Sequence, residues 1–561
     1  MREDDPMTRY VGRTRPKRRG GYAVALAIAC AALACAAAAP AQARVLRVGT
    51  YKGVKGHYHS IQNAIDAARP GDWVLVGPGD YHERADRVDG IRWDTPAGVV
   101  INTPRIHLRG MQRNQVIVDG TKPGAPRCSR GAADQDYGVK GSNGSPLGRN
   151  GILVWKVGHV SVENLTVCNF LTRNEIWFNG GDGSGTIFPL HFYGAYLNAT
   201  STYYKNDATA AGYGIFSSNA SGGKWNWTYA SNMADSDYYI GACAQACDQV
   251  VNHAHAQYSS LGYSGTNAGG RLVIKNSEFD HNSDGFDTNS QNNDDRPSPQ
   301  TGLCPGGATS PITHTHSCWV FTHNYVHDNN NPNVPRTVPA PTGTGVSVAG
   351  GRDNTIIDNR FVHNGAWGVV FVPYPDVGNP PPGANCQGGI QTGTPPNNVC
   401  LYDDWDNALL HNSFKHNGSF GNDTNGDIAE ITSTAAPSNC YRGNVETGGG
   451  QVTTSPSGLQ QSKPTCGGTV PPDSNPSFFN QIACDSAIFA GIVPGTSGST
   501  CPPGANYPQR TKVVMPALPH SGLRTMPKPC RGVPANPWCP SAGGHRGHHK
   551  HLSQQGEDSG T

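Results

Sequence analysis

Histidine, aspartate and lysine recur at matched places in four segments of the chain. These are Arg271–Ser290 (RLVIKNSEFDHNSDGFDTNS), the stretch from Cys318 (CWVFTHNYVHDNN), the stretch from Asn354 (NTIIDNRFVHNGAWGVVFV) and the stretch from Asn407 (NALLHNSFKHNG). Aligned on their asparagines, one column reads Lys275, His323, Asp358 and His411. A second reads His281, Asp328, His363 and His416, and beside it stand Asp280, His327, Val362 and Lys415. Such a stripe supplies bases, acids and cations. One chemistry it suits is β-elimination on an acidic polysaccharide, in which a cation neutralises a uronate carboxylate and a Lys, Arg or His takes the ring proton. The catalytic candidates are Asp284, Lys415, His281 and His327. Asp287, Asp295, Asp403, Asp404 and Asp406 offer the oxygen ligands that Ca²⁺ takes, so calcium is the expected cofactor. The other chemistry is glycoside hydrolysis by two carboxylates, about 6.5–9.5 Å apart in inverting enzymes.

The elements that would hold this stripe are visible in the same alignment. Asn276, Asn324, Asn359 and Asn412 share a column. Phe279, Val326, Phe361 and Phe414 share another, and Asn282, Asn329, Asn364 and Asn417 a third, with one extra residue needed in the first copy. Units this short are strands with turns, not helix pairs, and a lone strand cannot bury its apolar face without the next unit. The expected fold is an all-β solenoid, a right-handed parallel β-helix. Asn suits its corners because it tolerates left-handed backbone and bonds neighbouring chain. Equivalent residues in successive coils then lie about 4.8 Å apart, which turns each alignment column into a line on the surface.

The N-terminal part carries YHSIQNAIDAARPGDWVLVGPGDYHE, from Tyr58 to Glu83. Ile61, Ala64, Ile65 and Ala68 have helical spacing, Pro70-Gly71-Asp72 ends the helix, and Trp73–Val76 is a strand. This helix, PGD, strand and PG-x-Y-x-E order resembles the N-terminal cap of pectin-lyase-like right-handed β-helix proteins. The resemblance implies a helical cap over the first coil. With the Asn repeats it covers about Val45 to Val445. Asn282-Ser283-Asp284-Gly285-Phe286 is similar to the NTD motif of polygalacturonases, while the Gly-His-Gly and Arg-x-Lys of that family, and the motifs of pectin methylesterases, are absent.

A formal net charge of +2 over 561 residues, without a basic stripe, argues against nucleic-acid binding. Basic residues up to Arg19, an Ala/Leu run to Ala39 and Ala41-Gln42-Ala43 read as a secretory signal peptide, residues 1–43. No other run is long and apolar enough to span a bilayer. Of 16 Cys, Cys30 and Cys35 fall in the leader, and the even remainder in an exported chain implies disulfides. Local pairs are expected at Cys243/Cys247, Cys304/Cys318, Cys386/Cys400, Cys440/Cys466, Cys484/Cys501 and Cys530/Cys539, leaving Cys128 and Cys168. The β-helix is expected over 44–447, a Cys- and Pro-rich cap or wrap over 448–540, and a disordered tail over 541–561. Trp225, Trp227, Tyr229, Tyr238 and Tyr239 suit either sugar stacking or a coil interior. The functional expectation is a secreted monomer acting on an extracellular or cell-wall polysaccharide, by lyase chemistry ahead of hydrolysis. Its alternative is a non-catalytic glycan-binding or envelope protein.

Overall fold

A computed structural model of the chain describes residues 43–84, 96–181, 188–243, 246–291, 318–339, 341–376, 389–392, 399–435, 437–473, 475–489, 501, 504–519 and 523–540. The proposed signal peptide, Asp295, Cys304, Cys386 and the 541–561 tail lie outside these residues. The chain winds as a right-handed parallel β-helix, with one 19-stranded and one 11-stranded sheet, parallel throughout. Each later coil runs strand, corner, strand, corner, strand. Leu272–Lys275, Glu278–Asp280 and Asp284–Asn289 form one such coil, and each pairs with its counterpart in the next. These three positions are called the first, second and third faces below. In earlier coils the first two faces merge into single long strands, Ser161–Cys168, Phe188–Thr200, Ala220–Ser231 and Gln249–Gln257.

Each corner turns on a left-handed residue. Between the first and second faces these are Trp227, His253, Asn276, His323, Asp358 and His411, and between the second and third they are Tyr258, His281, Asp328, His363 and His416. Inside the corners run asparagine ladders. Asn324 donates its backbone N–H and its Nδ2 to Oδ1 of Asn359 at 2.9 and 3.1 Å, Asn359 does the same to Asn412, and Asn412 to Asn444. A second ladder joins Asn282, Asn329, Asn364 and Asn417, and a third Asn354, Asn407 and Asn439. Every rung pairs a backbone donor that would otherwise be buried without an acceptor. The apolar column Phe279, Val326, Phe361 and Phe414 fills the interior at 0 % exposure.

The registers correct two columns, the one that began at Asn276 and the one that began at Lys275. Lys275 pairs with Thr322, so Asn276 aligns with His323 and Ser277 with Asn324. Ser277 carries the ladder there, accepting from Ala254 N–H with its hydroxyl and donating its own N–H to Asn324 Oδ1 at 2.9 Å. Asn276 sits at the left-handed corner and donates to Asn252 Oδ1. The extra residue inferred for the first copy is therefore not needed.

At the N-terminal end, the helix Ile61–Ala67 places Ile61, Ala64 and Ile65 in the main core. Asp72 of the PGD turn accepts from Arg69 N–H and Arg44, Tyr81 donates to Gly77 O at 2.8 Å, and Glu83 accepts from Ser60 Oγ and Ile61 N–H at the helix start. These contacts give the motif its physical content. At the other end, helix Pro476–Phe489 packs Phe478 and Cys484 on Trp367, Val370 and Ala429 of the third face. Residues 504–519 and 523–540 then return along the coils. Asn506 bonds Asn422, Thr511 bonds Asn333, Arg113 donates to Arg524 O, and Trp538 donates to Val54 O. Disulfides join Cys128–Cys168, Cys243–Cys247, Cys440–Cys466, Cys484–Cys501 and Cys530–Cys539. No described helix is long and apolar enough to cross a membrane.

Candidate functional site

Alternation along the short strands of the second face fixes what they present. In one file His255 pairs with Glu278, Glu278 with Tyr325, and Tyr325 with Arg360. In the next file Gln257, Asp280, His327, Val362 and Lys415 follow one another. Phe279, between Glu278 and Asp280, points the other way into the core, so both carboxylates face outward. The second corner sets Tyr258, His281, Asp328, His363 and His416 alongside.

The two carboxylates are gripped by imidazoles. Nε2 of His255 lies 2.7 Å from Oδ1 of Asp280 and 3.9 Å from Glu278, and Gln257 Nε2 donates to Asp280 Oδ2 at 2.7 Å. His281 Nδ1 bonds the same Asp280 oxygen. His327 spans Glu278, at 3.1 Å from Nε2, and Asp328, at 2.8 Å from Nδ1. Tyr325 stacks on His327 at 3.9 Å, and the Arg360 guanidinium lies 4.7 Å over Tyr325.

Burial alone would raise the Asp280 carboxyl, but hydrogen bonds from His255, His281 and Gln257 outweigh it and hold it far below the usual range. The His327 hydrogen bond holds Glu278 down as well. In return Asp280 raises His281. Burial opposes the protonation of His327, yet Glu278 and Asp328 prevail and raise it. The site is thus a pair of ionised carboxylates among imidazoles, of which His281 and His327 hold their protons to higher pH than free histidine.

Of the four catalytic candidates, His281 and His327 meet here. Lys415 shares the His327 file but stands two coils on, roughly 10 Å away. Asp284 is not brought to this face. It is fully buried at the start of the third-face strand, where it accepts from Ser347 Oγ at 3.0 Å and Phe286 N–H at 3.1 Å, and burial pushes its carboxyl well up. Next to it, Gly285 is required by packing, since a Cβ there would lie 2.6 Å from Gly345 O and 2.7 Å from Asn329 Nδ2. The Asn282–Phe286 motif therefore has a structural account in the ladder and core. Of the sugar-stacking aromatics, Trp225, Tyr229 and Tyr238 are buried.

The acidic residues expected to hold calcium do not converge. Asp287 lies on the third face, bonded to Ser347 and pushed up to about 6 by burial. Asp403 is fully buried and already accepts from Ser433 N–H, Thr434 N–H, Thr434 Oγ and Trp405 Nε1. Asp404 is buried against Gly351 N–H, and Asp406 bonds Asp353, whose carboxyl burial pushes up to about 7. Among the described residues, none of the triads whose ligand atoms lie within 4.8 Å of one another includes these acids, whereas His255, Glu278 and Asp280 form one. Among the described residues, Asp287, Asp403, Asp404 and Asp406 thus form no shared cluster of ligand atoms.

His255 and Glu278 were missed by the sequence reading. The signal was present: residues 250–264 repeat residues 273–287 at a separation of 23, which sets Ser259 against Asn282.

No family model matches the chain, and no curated protein does. Among solved structures it is similar to an A-module of a mannuronan C-5 epimerase from Azotobacter vinelandii, at 15% identity and TM-score 0.36, covering 70% of this chain and 90% of that one. It is similar to an alginate lyase from Paenibacillus sp. str. FPU-7, at 9% identity and TM-score 0.35, covering 73% and 97%. A PL6 family polysaccharide lyase from Pseudopedobacter saltans aligns at 11% identity and TM-score 0.34, covering 75% and 87%.

Proposed function

We propose that the protein acts outside the cell on an acidic polysaccharide and cleaves it by β-elimination at the His255–Glu278–Asp280 cluster. The observation that carries this reading is the pairing of two ionised carboxylates, the buried Asp280 and the accessible Glu278, with three imidazoles, on a face that continues to Arg360 and Lys415. The disulfides among the described residues fit an oxidising compartment.

The proposed step is as follows. Asp280 holds the Nε2 proton of His255, with the Glu278 carboxylate 3.9 Å away, which leaves Nδ1 as the acceptor, an orientation suited to a general base. While Arg360, over Tyr325 further along the face, meets the charge of a neighbouring residue of the glycan, the imidazolium of His327 offsets the uronate carboxylate and acidifies the carbon beside it. That C–H bond breaks and its proton passes to His255 Nδ1. The electron pair forms a carbon–carbon double bond and expels the glycosidic oxygen, which takes a proton from the His281 imidazolium. One product carries the unsaturated sugar and the other a new reducing end.

Hydrolysis by two carboxyl groups fits less well, because it needs one carboxylic acid to stay protonated near neutral pH. Here both Glu278 and Asp280 are held low. The test is incubation of the purified protein with uronic-acid and neutral polysaccharides, following ultraviolet absorbance of unsaturated sugars and reducing ends. Absorbance with the acidic glycans alone is expected. Reducing ends without absorbance point to hydrolysis. Glycan retention with neither signal refutes catalysis and leaves the binding role.

A further inference from the structure

The second face is open over only part of its length, and the reactive cluster stands at the boundary. In the file that leads to His255, the preceding residues Thr166, Asn198 and Tyr229 are 0–1 % exposed, and in the adjacent file Thr200 and Ser231 are likewise buried. One coil later, about 4.8 Å on, the side chain of His255 is 28% exposed, and that of Glu278 in the following coil 43%.

Two pieces of chain cover the closed part. The turn at Arg113 and Asn114 bonds down onto it, with Thr166 Oγ donating to Arg113 O at 2.9 Å and Asn198 Nδ2 donating to Asn114 Oδ1 at 3.0 Å. The returning C-terminal segment, in its described residues 504–519 and 523–540, lies above. It is fixed at the second corner by Asn232 Nδ2 donating to Pro516 O at 2.9 Å, and at the first corner by Met526 N–H donating to Asn164 Oδ1 at 3.3 Å. Between these anchors Leu518 and Pro519 face Asn114, Ile117 and Thr200 across a cavity of about 590 Å³. In the other direction the file runs on through Arg360 to Ser413 and Val445, which is 52 % exposed.

We propose that this crossing segment makes the site act at chain ends. The inference rests on the lyase reading above. A polysaccharide laid along the face meets the 516–519 crossing one coil beyond His255, so internal bonds of a long chain are kept from the cluster. An end can reach it, with the rest of the glycan extending over Tyr325, Arg360 and Lys415.

The experiment follows viscosity and product size together during digestion of a long polyuronate by the full chain. Retained viscosity with a single small product from the first time points is expected. An early fall in viscosity with a ladder of sizes overturns the inference while leaving the lyase reading intact. A second arm uses one oligosaccharide length carrying a bulky tag at one end or at the other. Loss of turnover with one tag and not with the other is expected, and equal turnover of both overturns chain-end action. Absence of product from every acidic glycan tried removes the functional reading and this inference with it. The variant Asn232→Ala frees one anchor of the crossing segment and is expected to raise the share of internal cleavage.

Discussion

Replacing Asn359 puts the ladder on trial, because its amide holds two neighbouring backbone groups at once. Oδ1 accepts the N–H of Asn324 at 2.9 Å, and Nδ2 donates to Phe321 O at 2.9 Å and to Asn412 Oδ1 at 2.9 Å. The residue is 1% exposed, so water does not replace these partners. In Asn359→Ala, one backbone donor and one backbone acceptor lose their partners. At about 1–3 kcal/mol for each buried orphan, the cost is about 2–6 kcal/mol. Asn359→Ser separates the two contributions. Ser277 occupies the equivalent place two coils earlier and accepts the N–H of Ala254 at 3.0 Å while donating to Lys275 O at 2.8 Å. A serine at 359 keeps the N–H of Asn324 satisfied and orphans Phe321 O alone, at about 1–3 kcal/mol. The expected stability order is Asn, then Ser, then Ala. Urea unfolding followed by tryptophan fluorescence gives the totals, and native-state hydrogen exchange at Asn324 reports the rung itself. An Ala variant within about 1 kcal/mol of the parent, or Ser and Ala variants that cannot be told apart, would refute the reasoning.

Four further outcomes follow. His255→Ala is expected to lower kcat by about 10²–10⁴ with KM changed only a few-fold, read from the rate of unsaturated-product formation; a variant as active as the parent excludes His255 as the base. Burial pushes Asp287 up to about 6, whereas an aspartate in the unfolded chain titrates near about 3.9, so between these pH values the folded state binds more protons and stability falls as pH rises. Asp287→Asn removes that slope, and urea midpoints should match the parent near pH 4 and exceed it near pH 8 by up to about 3 kcal/mol. Asp403→Asn turns an amide toward donors that now meet carboxylate oxygens, so it should cost about 1–3 kcal/mol in thermal or urea unfolding and leave any effect of calcium or chelator on activity unchanged. His363→Asn should stay within about 1 kcal/mol of the parent and keep activity, because asparagine accepts left-handed backbone, while His363→Val should lose about 1–3 kcal/mol by the same unfolding measurement.

The fold was legible because its commonest mark is a side chain with a single job. Asn282, Asn329, Asn364 and Asn417 stand in the ladder that their spacing indicated, and Phe279, Val326, Phe361 and Phe414 fill the core between them. The register of Asn276 was misread because asparagine serves two places in a corner, the left-handed residue and the ladder residue beside it. At 276 it serves the first, and a serine serves the second. The same substitution hid His255. Its coil carries Ala254 and Ser259 where later coils carry asparagine, so the asparagine columns stop one coil short of His255. Asp284 was drawn toward the site by proximity in sequence. Its burial comes from Ser347 and from the segment that ends at Thr342, which bonds the neighbouring Ser283, and both are remote along the chain.

The stripe of His and Asp contains two populations that sequence alone does not separate. Corner residues must adopt positive φ, and His, Asp and Asn are the side chains that most readily do so outside glycine. That demand accounts for His323, Asp358 and His411 at one corner and for Asp328, His363 and His416 at the other, each with φ between 52° and 58°. Glycine at the next equivalent place, Gly443 with φ of 68°, meets the same demand with no side chain at all. His255, Glu278, Asp280 and His327 lie within strands, where the backbone asks for no such residue and β-branched or aromatic side chains are ordinarily preferred. Backbone geometry therefore explains the corner histidines without function and leaves the in-strand four unexplained. Their polar contacts run mainly to one another and to Gln257, His281 and Asp328 around them, and that unexplained remainder is what supports placing the proposed site at this cluster.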